Sequence, residues 1–440
     1  KKEASVRKSE VELAQKKGTF LPPSAETVAE FMDEFVRLYG ELKWSPSMYD
    51  SSTGIIRNYI NPLIGDLPMQ SVTVKTVDIF IHDLHRTHSA AEKYHAVKQD
   101  YISDSQVEKV FKLARCAFNQ AVRWNVIQQN PFNQAHLCKA KCREREIWDA
   151  ETIRKALDAC RDANLYVCMN LSFACSLRIG EILGLTWNNV HISEQEIKDD
   201  DAWLYIMQEL ARVKRSALAA LNNKNIYHIF PAWTGKTTST VLVLKKPKTD
   251  SSIRRVWIPK TVAYVLQELR KNQLQQIELA GCDYTDYNLV IAFPNGHPCE
   301  EKRINQAFTK LKAEAKLPDV VFHSLRHSSA TYKLKLNHGD LKATQGDTGH
   351  AEIDMLTKVY AHILDSDRKI TAQRFEEAFY QPQDLSEQKD NSPSSPDIAA
   401  LIAQIQQYPE LGKILSDVLA KQASTDENTE NSNGNLSGSE

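Results

Sequence analysis

The hydrophobic pattern of the chain changes across a polar, basic stretch at residues 139–146. Before this stretch, apolar residues recur at helical spacing, most clearly between Val107 and Val122. After it, helical segments alternate with strand-like runs at 203–207, 241–244 and 255–258. The two patterns predict a multidomain, mainly α protein, in which an all-helical domain precedes an α+β domain with a small antiparallel sheet.

Local signals predict where the first helices begin. Ser24 is expected to cap a helix that reaches about Tyr39, and Ser45 followed by Pro46 marks a second helix start. A third helix should begin at Thr73 or Thr76 and reach His85, and the fourth contains the 107–122 pattern. The expected order is a charged helix or linker (1–20), a helical domain (21–133), a linker (134–148), an α+β domain (149–382) with an insertion at about 211–240, and a tail (383–440).

The net charge of −1 conceals an uneven distribution of charge. The tail, 383–440, contains ten acidic and three basic residues, so the rest of the chain is net basic. The tail should be largely disordered, with a helix at 397–422. The stretch 211–260 contains eleven basic residues and one acidic residue, which suits either a solvated face or a surface that contacts phosphates. The insertion itself is expected to belong to such a phosphate-contacting surface or to a contact with a neighbouring subunit, or to be a tolerated surface loop.

Four short stretches carry groups that can act on a phosphate. Arg178 opens an apolar helix with Glu181 one turn later, and residues 246–259 are expected to form two strands around a turn, with Lys248 near the hairpin tip. His323 and Arg326 are three apart and should share a helix face. The last stretch runs from 348 to 362. The candidate catalytic residues are Arg178, Lys248, His323, Arg326, His350 and Tyr360.

Each motif alone is weak, but together the six groups fit phosphoryl transfer. Cationic groups can neutralise a pentavalent phosphorane, and a tyrosine can act as a covalent nucleophile. A tyrosine with a pKa near 10 needs a base and a cationic pocket to react at neutral pH. No carboxylate cluster for Mg²⁺ and no finger-like zinc spacing accompany these groups, so we expect neither a metal nor another cofactor.

Over about residues 20–380, and most specifically in 323–327 and 348–362, the chain resembles the tyrosine recombinases of the phage-integrase type. It looks most like integrases of conjugative and related mobile elements in Gram-positive bacteria. The resemblance implies a SAM-like core-binding domain and a catalytic domain that clamp DNA. It differs at Ser176, where the family more often has Gly and where we expect an effect on packing alone. Asp347-Thr348 also stands where an apolar residue is more common.

The resemblance also implies a role for each candidate residue. Tyr360 would attack the scissile phosphate to leave a 3′-phosphotyrosine, and Lys248 would protonate the leaving 5′-oxygen. Arg178 and Arg326 would bind the non-bridging oxygens. The supporting roles fall to His323 as acid or base toward the tyrosine, His350 as a hydrogen-bond donor to the phosphate, and Glu181 as the acid that orients Arg178.

The implied partners are double-stranded attachment or crossover sites, three further copies of the chain in a tetramer on two DNA sites, and accessory DNA-bending or excision factors. The segment 365–380 is expected to pack on a neighbouring protomer. We expect no membrane association and a cytoplasmic location at the bacterial nucleoid. Two alternatives stay open: another enzyme of the same chemistry (a type IB topoisomerase-like enzyme or a telomere resolvase), or an inactive DNA-binding accessory protein.

Overall fold

A computed structural model describes residues 21–90, 100–137, 146–232, 238–337 and 340–348. Several of the sequence predictions lie outside these ranges. They concern the charged helix or linker at 1–20, His350, Tyr360, the segment 365–380, and the tail 383–440 with its helix at 397–422. The structure of the remaining candidate residues can be compared with expectation directly.

The first part of the chain forms a small helical domain. Its helices are α1 Val28–Phe35, α2 Pro46–Ile55, α3 Val74–Leu84 and α4 Asp104–Arg123, with α1 and α2 continuing through π-helical turns at Val36–Gly40 and Ile56–Ile60. Side-chain caps begin α2 at Ser45 and α3 at Thr73, as predicted. The first helix is capped by Thr27 and not by Ser24, because Thr27 and Glu30 form a reciprocal capping box.

Aromatic side chains fill the core of the helical domain. Phe132 packs its ring against Phe80, Phe111 and Phe118, at centroid distances of 6.1, 5.5 and 4.8 Å. All four rings are buried, so the short segment after α4 returns to close the domain. The predicted helical domain therefore has a hydrophobic core of its own.

The second part of the chain combines helices with six short strands. Its helices are α5 Ala150–Ala159, α6 Ala163–Ala174, α7 Ile179–Leu183, α8 Glu194–Lys198, α9 Arg215–Ala220, α10 Lys260–Ala280, α11 Glu301–Glu314, α12 Ser324–Leu336 and α13 Leu341–Thr348. Its strands are β1 Val190–His191, β2 Trp203–Ile206, β3 Glu209–Lys214, β4 Ile226–Ile229, β5 Thr240–Lys245 and β6 Arg254–Trp257. The expected fold class, mainly α with small antiparallel sheets, is confirmed.

The strands form two separate sheets, in the orders β1-β2-β6 and β3-β5-β4. The prediction of a hairpin over 246–259 is wrong, because β5 pairs with β3 and β4 whereas β6 pairs with β2. Lys248 therefore lies in a connection that crosses from one sheet to the other, and not at a hairpin tip. The pairing of strands that are distant in sequence determines the position of Lys248, and the turn residues around Lys248 do not reveal that pairing.

The segment predicted as an insertion without clear periodicity contributes regular structure to the second sheet. Four of the buried side chains of this sheet and its helix form a small separate core, namely Val213, Leu218, Val241 and Val243. This insertion sheet (β3, β4 and β5 with helix α9) also contacts the helical domain. Lys214 forms an ion pair with Asp50 at 2.9 Å, and the Lys224 ammonium donates a hydrogen bond to the Leu42 carbonyl at 2.8 Å.

Candidate active site

Arg178 and Glu181 form the centre of the candidate site. Arg178 is the residue before α7, and its backbone N–H donates to Glu181 Oε2 at 3.1 Å. Its guanidinium Nη1 donates to Glu181 Oε1 at 2.7 Å. The Glu181 side chain is 1% exposed whereas that of Arg178 is 32% exposed. The buried Glu181 carboxylate thus holds the Arg178 side chain on its protein-facing side, and part of the Arg178 side chain stays exposed to solvent.

Arg254, a residue that the sequence analysis did not single out, holds Glu181 from a second element. Its Nη2 donates to Glu181 Oε2 at 3.4 Å, and its Nη1 donates to the Ser252 carbonyl at 3.0 Å. Ser252 is buried, and its hydroxyl accepts a hydrogen bond from Arg178 Nη1 at 3.1 Å. The strand β6 and the turn before it are therefore part of the arginine site.

Arg326 approaches the same carboxylate from α12 and is 1% exposed. Its Nη1 donates to the backbone carbonyl of Ser176. Ser176 has a φ of 53°, in the left-handed region that favours glycine. Its hydroxyl lies 2.5 Å from that of Ser329, one turn beyond Arg326 on α12. The backbone carbonyl at this position thus holds a candidate catalytic arginine, and the expectation that the serine side chain affects packing alone stays a prediction.

His323 is half-buried and immediately precedes α12. Its carbonyl accepts a hydrogen bond from the Arg326 backbone N–H at 3.2 Å, so the two residues lie on one turn, as their spacing predicts. The His323 ring lies edge-on to the His327 ring at a centroid distance of 4.8 Å. The start of α12 therefore holds His323 on the same turn as Arg326, with its ring against that of His327.

Lys248 is exposed in the loop that leads to β6. The Thr249 and Ser252 hydroxyls of this loop are 2.9 Å apart, and Ser252 in turn binds Arg178. This chain of hydrogen bonds fixes the loop to the arginine cluster while the ammonium stays accessible. The lysine borders a cleft between the helical domain and the insertion sheet whose basic residues are Lys43, Lys224, Lys245, Lys246 and Lys248.

The electrostatics of the cluster favour an anion. Burial alone would raise the pKa of Glu181, but the guanidinium groups of Arg254 and Arg178, the Arg178 N–H and Arg326 together hold it below its usual value. Burial and repulsion by Arg178 lower the pKa of Arg326 to about 9, against an opposing contribution from Glu181. Two guanidinium groups thus pair with one carboxylate and a third lies nearby, and the excess positive charge of this cluster suits a phosphate.

The structure brings together Arg178, Glu181 and Arg326, places His323 on the same turn as Arg326, and ties the Lys248 loop to Arg178. The positions of His350 and Tyr360 lie outside the described residues. Within the part of the chain that is described, no three His, Cys, Asp or Glu side chains converge as a metal site would require. None of the helices described is long and apolar enough to cross a membrane.

Two family models match the chain. The model of the phage integrase family matches residues 147–367, and that of the phage integrase N-terminal SAM-like domain matches residues 27–85. A XerC-like tyrosine recombinase of Caldanaerobacter subterraneus subsp. tengcongensis is 24% identical, over 83% of this chain and 86% of its own length. The ICEBs1 integrase of Bacillus subtilis is 19% identical, over 77% of this chain and 79% of its own length.

The fold is similar to that of the Tn1549 transposon integrase in complex with a circular intermediate DNA. The TM-score is 0.58 at 16% identity, and the match covers 80% of this chain and 99% of that one. The chain belongs to the phage integrase family. It is a site-specific DNA recombinase of the tyrosine, integrase type, an enzyme that cuts and rejoins DNA, and neither of the alternative functions is favoured.

Proposed function

We propose that the arginine cluster is the phosphate-binding half of the recombinase active site. The observation that carries this proposal is that Arg178 and Arg254 both form ion pairs with the single buried carboxylate of Glu181, and that Arg326 lies near enough to add to its stabilisation. Arg178 offers its exposed face to a non-bridging oxygen. Arg326, which is 1% exposed and is held by the Ser176 carbonyl, would complete the positive charge around the same phosphate. Preorganised cations of this kind stabilise a transition state in which negative charge develops.

The reaction then follows from the remaining candidate residues. The Tyr360 oxygen attacks the scissile phosphorus, its proton passes to a base for which His323 is the candidate, and the bond to the 5′-oxygen breaks. Lys248 gives a proton to that leaving oxygen, and His350 donates a hydrogen bond to the phosphate. The product is a 3′-phosphotyrosine and a free 5′-hydroxyl, and attack by a second 5′-hydroxyl reverses the step on a new strand. No bond energy is lost, because one phosphodiester replaces another.

The substrates that we propose are the DNA junctions of a mobile element, including its circular form. The support is the similarity to the Tn1549 integrase, whose structure contains a circular intermediate DNA, and to the ICEBs1 integrase. Exchange of two duplexes needs four strand cleavages, so we propose that four copies act on two DNA sites, with accessory factors that bend the DNA. The enzyme would work in the cytoplasm at the nucleoid, where its substrate lies.

A nicked suicide duplex tests the proposal. The crossover sequence is first read from element junctions formed in cells, and a nick beside the cleavage position lets the short leaving strand diffuse away. The wild type should accumulate a covalent protein–DNA adduct, and Tyr360→Phe should form none while still binding the duplex. Lys248→Ala should recover cleavage when the leaving 5′-oxygen is replaced by sulfur, because a thiolate leaves without protonation. An adduct that persists in Tyr360→Phe contradicts the assignment of the nucleophile.

A further inference from the structure

Two consecutive arginines at the start of β6 face opposite sides of their sheet. Arg254 pairs with Ile206 and Arg255 with Tyr205, and side chains alternate along a strand. The Arg255 guanidinium lies on the exposed face, 4.1 Å from the centroid of the Trp203 ring. The Arg254 side chain points inward and is 9% exposed. Two neighbouring guanidinium groups thus lie in different environments: that of Arg255 is at the surface, and that of Arg254 is inside the candidate site.

The burial of Arg254 is not explained by packing. Its Nε–H is buried and has no hydrogen-bond partner among the described residues. A buried donor without a partner costs about 1–3 kcal/mol. Buried ion pairs can often be replaced by apolar side chains of similar volume without loss of stability. A methionine or leucine would therefore fill this space at least as well, and the guanidinium needs another explanation.

We propose that Arg254 is a positioning residue of the recombination reaction: it holds Glu181 from the side of β6 so that Glu181 in turn holds Arg178 in its phosphate-binding orientation. Arg254 need not touch the DNA to do so. Its two bonds go to the Glu181 carboxylate and to the carbonyl of Ser252, whose hydroxyl also binds Arg178. The inference rests on the proposed function of the arginine cluster and adds a residue to it.

The charges around Glu181 show what the loss of Arg254 would change. The guanidinium charges that lower the pKa of this carboxyl are, in decreasing order of effect, those of Arg254, Arg178 and Arg326, and the Arg178 N–H adds a hydrogen bond. Burial acts in the opposite direction. Without Arg254, the pKa of Glu181 should therefore rise, and a protonated Glu181 holds the Arg178 guanidinium less firmly than a carboxylate does.

The test compares Arg254→Met and Arg254→Lys in the full chain, with Arg255→Met as the control that removes the neighbouring charge. Single-turnover cleavage of the nicked suicide duplex is measured against DNA concentration and pH. Arg254→Met should lower the maximal cleavage rate roughly tenfold to a hundredfold, as expected for a misplaced catalytic group. The half-saturating DNA concentration should change less than the rate. Arg255→Met should leave the maximal rate unchanged, and Arg254→Lys, which keeps the charge, should recover part of it.

Two pH measurements separate this role from a merely structural one. The ratio of the wild-type rate to the Arg254→Met rate should grow as the pH falls, because Glu181 is protonated earlier in the variant. Any loss of stability in Arg254→Met should shrink over the same range, because protonation removes the poorly compensated buried charge. A rate ratio that is independent of pH, or a wild-type maximal rate in Arg254→Met, overturns the inference. If even the wild type forms no adduct, the proposed function fails, and the stability measurement still decides whether Arg254 governs the ionisation of Glu181.

Discussion

Replacement of Ser176 by glycine isolates the strain in the segment that holds Arg326. Ser176 adopts a φ of 53°, and a non-glycine residue in left-handed backbone costs roughly 1–2 kcal/mol. Glycine removes this cost and keeps the carbonyl that accepts from Arg326. It also deletes the hydroxyl that lies 2.5 Å from the Ser329 hydroxyl, and both serines are buried. Strain and hydrogen bonding therefore oppose each other at one position.

The magnitudes predict the order of the variants. The loss of one hydroxyl leaves that of Ser329 buried without its partner, at a cost of about 1–3 kcal/mol. Glycine also lowers the stability by about 0.4–1 kcal/mol, because it gives the unfolded chain more conformational entropy. Ser176→Gly should therefore be about 1 kcal/mol less stable than the wild type. Ser176→Ala should be less stable still, because alanine keeps the strain. Ser176→Gly combined with Ser329→Ala should return to the wild-type value or slightly above it.

Hydrogen exchange of the α12 amides in the full chain reports these free energies locally, which avoids treating a multidomain protein as two-state. Cleavage of the suicide duplex at 25 °C should stay within about threefold of the wild type in all three variants, since each keeps the carbonyl; a threefold change in rate is about 0.65 kcal/mol. Protection that is lower in Ser176→Gly than in Ser176→Ala by about 0.4–1 kcal/mol, the entropy cost of glycine alone, would show that the backbone is not strained. Additive losses in the double variant would show that the two hydroxyls do not interact.

Two further predictions concern the support beneath α7. Gly184→Ala should destabilise the site and slow cleavage, because a Cβ there would lie 2.7 Å from the Leu210 nitrogen and 2.9 Å from the Glu209 carbonyl carbon. The matched control is Gly54→Ala, whose Cβ would meet no atom within 4 Å. This control should be neutral or stabilising by about 0.5–1 kcal/mol. Glu209→Gln should lower the protection of β5 amides by about 2 kcal/mol, because the buried Lys245 loses its acidic partner. Unchanged exchange in either variant, measured with the same method, contradicts the corresponding contact.

Helix starts were the part of the fold that the sequence predicted best. Ser45 and Thr73 cap their helices through bonds to amides three residues on, and such bonds depend on local sequence alone. The hairpin prediction around Lys248 failed for the opposite reason. Its two flanking strands belong to different sheets, and their partners lie far away along the chain. Local turn residues show that the chain bends and do not show which strands pair.

The candidate site shows the same division. The pair Arg178 and Glu181 was accessible from sequence because its members are one helical turn apart. Arg254 was not, since only the alternation of side chains along β6 separates it from the exposed Arg255, and the register of that strand is set by β2. The role of the Ser176 carbonyl could not be predicted either, because every residue type has a backbone carbonyl.

The arginine cluster also predicts a response to a simple anion. Burial and the proximity of Arg178 disfavour the charged form of Arg326, which is why the pKa of Arg326 falls to about 9. An anion beside the exposed face of Arg178 would relieve this repulsion. Inorganic phosphate at low millimolar concentration should therefore increase the protection of the α7 and α12 amides, in a saturable way. At ten times its dissociation constant, the gain is about 1.4 kcal/mol.

The increase should be absent in Arg178→Met, because this variant lacks the partly exposed guanidinium that would face the anion. Arg255→Met provides the control, because it removes an equal charge from the outer face of the sheet. A general salt effect would act on all three proteins alike and would not saturate. Equal protection by phosphate in Arg178→Met and in the wild type would therefore mean that the arginine cluster does not bind a free phosphate ion. The positive charge of the cluster would then already be compensated within the protein, and binding of a phosphate there would require further contacts with DNA.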